Sequence, residues 1–64
     1  MMKHDEFVSL CRQVTTGSEK HVQHIITHQV GKIIACDLNE DFLEVEVQDG
    51  THKTWSKDNV KEMH

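Results

Sequence analysis

A chain of 64 residues has room for one hydrophobic core, and a domain of that size buries only roughly 60% of the surface its unfolded chain exposes, so residues 1–64 are expected to form a single domain. Hydrophobic residues make up 36% and charged residues 28%, a globular balance, and no apolar run is long enough to cross a bilayer or act as a signal peptide; a soluble cytoplasmic protein is expected. The formal net charge of -4 argues against affinity that comes from neutralising phosphates, since that needs clustered Lys and Arg.

Phe7, Leu10, Cys11 and Val14 recur at helical spacing on one stripe, and Asp5 and Glu6 sit where a helix N-terminus favours negative charge. This spacing predicts a helix over residues 4–14. Thr15, Thr16, Gly17 and Ser18 break the pattern, with Gly17 suited to a left-handed stop, and residues 15–20 are read as a linker. Between Glu19 and Val30, Val22, Ile25, Ile26 and Val30 fit a helical stripe, while the β-branched content and the closing Gly31 fit a strand. Extended structure is favoured here, because a sheet starting only at Lys32 would have three strands and close poorly.

From Lys32 onward the period is two. Ile34, Cys36 and Leu38 alternate with Ile33, Ala35 and Asp37; Leu43, Val45 and Val47 alternate with Phe42, Glu44 and Glu46. Asn39, Glu40 and Asp41 make the turn between these strands. Asp49-Gly50 reads as a two-residue hairpin loop with positive φ at both positions. Thr51 to Ser56 is the return strand, and Lys57, Asp58 and Asn59 form a short helical turn that lets Val60 and Met63 cover the open end. A two-residue loop sets Val47 against His52, Val45 against Thr54, Glu46 against Lys53 and Glu44 against Trp55. Trp55 and Phe42 then project away from the Leu43, Val45, Val47 face, as a second apolar patch with Ile33 and Ala35 that the N-terminal helix would cover.

The fold class expected is therefore mainly β with an N-terminal helix, in a small antiparallel barrel or meander. Residues 21–63 resemble the SH3-like, Tudor-type small barrels, and most closely the modules at the C-terminus of some bacterial repair helicases. The resemblance lies in Val22-Gln23-His24, Gly31-Lys32-Ile33, Val45-Glu46-Val47-Gln48-Asp49-Gly50 and a return strand ending near Val60. It implies a docking domain, which in those helicases serves RNA polymerase. It carries over no residue with a defined chemical role.

Cys11 and Cys36 match no zinc or redox spacing, and a secreted domain this small usually carries several bridges, so two buried, reduced thiols are expected. His21, His24 and His28 would share one face of a helix and could ligate zinc there, but in a strand they do not converge. Asp37, Asn39 and Asp41 open like an EF-hand loop, yet Phe42 stands where Gly is needed and Gln48 where the bidentate Glu is needed. No nucleophile has a base and an orienting group, so neither an enzyme nor a cofactor is expected.

What remains is charge segregation. Asp37, Glu40, Asp41, Glu44, Glu46 and Asp49 lie in one run without a Lys or Arg. The leading expectation is a non-catalytic interaction module that docks a basic protein partner through an acidic sheet face or an edge strand, using Phe42, Glu44, Glu46 and Trp55. Weak nucleic-acid binding through Lys20, Lys32 and Lys53, and a His-based metal site, are the alternatives.

Overall fold

The computed structural model describes residues 2–63. One helix, α1 (His4–Thr15), precedes five strands: β1 (His21–His24), β2 (Val30–Asp37), β3 (Phe42–Val47), β4 (His52–Ser56) and β5 (Val60–Met63). The strands form one antiparallel sheet in the order β4-β3-β2-β1-β5, with a 3₁₀ turn over Lys57–Asn59 joining β4 to β5. The fold is thus mainly β with an N-terminal helix, as the patterning implied.

α1 forms because its apolar stripe has a core to enter: Phe7, Leu10 and Cys11 are all buried. It ends in a Schellman motif. Gly17 takes a φ of 100°, the Ser18 N–H donates to the Gln13 carbonyl at 3.0 Å, and the Gly17 N–H donates to the Val14 carbonyl at 3.0 Å. Residues 21–24 are extended and pair on both sides, with β2 and with β5. Val60 to Met63 do not merely cover the open end; they are a fifth strand, and Val60 is fully buried.

The β3–β4 hairpin departs from the expected geometry. The Gly50 N–H donates to the Val47 carbonyl at 2.9 Å and the Val47 N–H donates to the Thr51 carbonyl at 3.0 Å, so the loop is three residues, Gln48, Asp49 and Gly50. Only Gly50 takes a left-handed φ, 87°, as in a type I turn closed by a glycine bulge. The Thr51 N–H donates to the Asp49 carboxylate at 2.9 Å, and the Thr51 hydroxyl and this N–H hold the Asp49 carboxyl below its ordinary pKa. The third loop residue moves the register by one from that expected: Leu43 faces Trp55, Glu44 faces Thr54, Val45 faces Lys53 and Glu46 faces His52. Because side chains alternate, a one-residue slip changes which face a side chain takes. Trp55 therefore lies on the same face as Leu43, Val45 and Val47 and is 7% exposed, whereas Phe42 is on the other face and 40% exposed.

A bulge in β2 between Ile33 and Ala35 makes the second correction. It absorbs Ile34, so that Ile33 and Cys36, expected on opposite faces, both turn inward. There is one core, not two patches: α1 packs on the face that carries Leu43, Val45 and Val47. Its hold is covalent as well, because Cys11 and Cys36 form a disulfide instead of the reduced thiols expected.

The sheet curls strongly. The Trp55 ring on β4 lies edge-on to the His24 ring on β1, with 5.1 Å between centroids, although two strands separate them in the sheet. Gly31 on β2 makes room for this: a Cβ there would meet Val45 Cβ at 2.8 Å and Trp55 Cζ3 at 3.2 Å.

Candidate interaction surface

β3 alternates without interruption, so Leu43, Val45 and Val47 enter the core and Phe42, Glu44 and Glu46 all point outward. The outward face is open. Opposite Phe42 stand Asp37 and Ser56; opposite Glu44, Ala35 and Thr54; opposite Glu46, Lys32 and His52. Glu46 has basic neighbours: its Oε2 lies 3.7 Å from His52 Nε2, and Lys32, whose Nζ lies 3.4 Å from Glu19, is directly across. Glu44 has no ion-pair partner among the described residues. Phe42, Ala35, Asp37, Glu44 and Thr54 surround a shallow depression of about 260 Å³, with an apolar floor and two carboxylates on its rim.

The Asp37 carboxylate is fixed by its own turn, accepting from the Asn39 and Glu40 N–H groups at 3.0 Å each. That is an Asx-type turn, and it gives the Asp37, Asn39, Asp41 series a structural role; Asp41 takes the left-handed φ, 60°, that the turn needs. Trp55, expected beside Phe42, is on the inward face and is no part of this surface. The histidines also separate. His21 and His28 line an open groove of about 590 Å³ with Lys32 and Glu46, whereas His24 turns to Trp55 and its Nδ1 accepts from the Ile26 and Thr27 N–H groups at 3.2 and 3.3 Å. Among the described residues no three His, Cys, Asp or Glu side chains are placed to hold a metal ion.

The lysines do not form one patch: Lys32 shares the outward face with Glu46, Lys53 shares the inward phase with Val45, and Lys32 is already 3.4 Å from Glu19. Between α1 and the second half of β2 runs a groove of about 380 Å³, lined by the apolar Val8, Val14, Ile34 and Leu38 and the disulfide cysteines, with Arg12 and Thr15 of α1 also on it. Sequence reasoning missed this groove, because the β2 bulge that sets Ile34 beside the helix left no mark in the alternation. Among the described residues no helix is long and apolar enough to cross a membrane. The chain matches no family model, no curated protein and no solved structure.

Proposed function

We propose that this chain is a small non-catalytic interaction module, of the SH3-like or Tudor-like kind, that docks a basic protein surface through the outward face of β3. The observation that carries the reading is the exposed Phe42 ring set between the carboxylates of Asp37 and Glu44, of which Glu44 has no counter-ion among the described residues. An apolar ring with unneutralised carboxylates around it suits the aliphatic stem and charged head of a Lys or Arg. The curled antiparallel meander supports the barrel comparison. The Cys11–Cys36 bridge favours an oxidising setting over the cytoplasm expected from the sequence, because such bridges persist where thiols are not kept reduced.

Glu44 is the residue to test, since Glu46 already faces Lys32 and His52 and its reversal would set like charges together. With a partner recovered from the native host, Glu44→Lys is expected to leave the fold intact and slow association at low salt, an effect that fades as the Debye length shrinks to about 10 Å at 0.1 M salt. Unchanged association kinetics at low salt would sink the reading.

A further inference from the structure

The sheet has a third open edge that its strand order hides. β1 pairs with β2 only over Val30, Gly31 and Lys32, and one more bond, from the Ile33 N–H to the Lys20 carbonyl, ends that side of the ladder. From Ile34 to Asp37, β2 has β3 on one side and, among the described residues, no backbone hydrogen bond on the other. An unpaired strand edge is a template for another strand. The two ordinary edges are blunted by charge, with Lys53 on β4 and Lys61 and Glu62 on β5. This third edge is not: it runs beside the α1–β2 groove, where Ile34 is 37% and Leu38 50% exposed. The Cys11–Cys36 bridge pins the two walls of that groove together, which preorganises it.

We propose that an extended segment of a partner protein adds as a strand to β2 at Ile34–Asp37, with apolar side chains in the α1–β2 groove alternating with Lys or Arg side chains that reach over Ala35 to Asp37 and Glu44. The alternation follows from strand geometry, since successive side chains take opposite faces. On the inner face the added strand meets Val8, Val14, Ile34 and Leu38 with Arg12 alongside, so its inward positions are apolar and not basic; on the outer face it meets the depression lined by Asp37 and Glu44. Ala35 is small and exposed, so it leaves the path from the new strand to Glu44 unobstructed. Charge complementarity selects the occupant. A second copy would bring the same acidic rim and a net charge of -4 to the edge, whereas a basic, apolar strand neutralises it.

The inference rests on the outward-face reading and adds the binding mode. The probe is a short end-blocked peptide of alternating valine and lysine, titrated into isotope-labelled protein while backbone amide resonances are followed, with alternating valine and glutamate as the control. Amide shifts are expected at Ile34–Asp37 and along Val8–Thr15. Binding is expected to weaken about tenfold or more for Leu38→Asp, for Glu44→Lys and for the glutamate peptide, about 1.4 kcal/mol or more in each case. Leu38 is exposed, so its variant should keep the fold, which unchanged amide positions elsewhere would verify.

Shifts confined to β4 or β5, or none at millimolar peptide, overturn the proposal. So do concentration-dependent shifts of the Ile34–Asp37 amides without peptide, which would give the edge to a second copy. If Glu44→Lys slows the native partner while the peptide leaves Ile34–Asp37 unmoved, strand addition falls and the outward-face reading stands. If the peptide shifts the edge but the native partner ignores Glu44→Lys, the outward-face reading falls alone.

Discussion

Gly31 is a residue whose identity is dictated by its neighbours and not by its own backbone. Its φ is ordinary, but any Cβ would press on Val45 in the adjacent strand and on the Trp55 ring. Gly31→Ala is therefore expected to destabilise the domain by about 1–3 kcal/mol, the usual cost of overpacking, and chemical denaturation checks it. An unchanged midpoint would mean that Trp55 does not lie across Gly31. His24 is dictated by two contacts at once, its Nδ1 receiving two loop N–H groups and its ring meeting Trp55. Asparagine can offer an oxygen near the Nδ1 position but has no ring. His24→Ala is expected to cost about 1–2 kcal/mol, and His24→Asn to recover the hydrogen-bonding share of roughly 0.5–1.5 kcal/mol but not the ring contact. Equal melting temperatures for the two variants would show that the loop does not use this acceptor.

At the scale of elements, the β3–β4 hairpin and the helix tether carry opposite lessons. Gly50 has open space around its missing Cβ, so the demand on it is purely conformational, a φ of 87°. Gly50→Val is expected to lose about 1–3 kcal/mol, because a β-branched residue resists that region. A thermal melt at the wild-type midpoint would contradict the glycine-bulge loop and the register built on it. The helix, by contrast, is held twice. Phe7 and Leu10 are fully buried, and the Cys11–Cys36 bridge closes a separation of 25 residues, which in the chain-entropy account is worth roughly 3–4 kcal/mol. In a domain this small each kcal/mol moves the midpoint by about 4–8 °C, so reduction is expected to lower the melting temperature by tens of degrees. A melt followed by circular dichroism with and without dithiothreitol measures this, and coincident curves would mean that the bridge constrains nothing.

For the whole molecule the decisive feature is the curl that brings β4 over β1. Trp55 sits at the centre of it, touching the region of Gly31 and the ring of His24, and it takes part in the same core as the helix residues. Its fluorescence is expected to be blue-shifted and poorly quenched by iodide, and to change with global unfolding. Emission and quenching like those of free tryptophan would show that the sheet does not curl this way. The curl also leaves the face with Phe42 and Glu44 uncovered, since α1 packs on the opposite, core side.

Much of this was legible in the chain itself. The helix stripe of Phe7, Leu10 and Cys11, the stop at Gly17, the Leu43, Val45, Val47 phase and the Asn39 to Asp41 turn all follow from local periodicity and φ preferences, which the backbone obeys wherever it sits. That Phe42, Glu44 and Glu46 oppose the core phase follows from the same alternation, but the helix expected over that face packs on the other one, so the exposure of Phe42 does not. Two features needed tertiary structure. The loop at Gln48-Asp49-Gly50 could close with two residues or three, and that single residue decided whether Trp55 faced the core or the solvent. The β2 bulge at Ile34 turned Cys36 inward beneath Cys11, where a bridge is possible, and set Ile34 beside the open edge. Turn length and bulge position have almost no local signature because competing registers cost little along the chain. They are settled by which register lets Trp55, Val45 and the helix share one core, a packing condition that exists only after the strands have met.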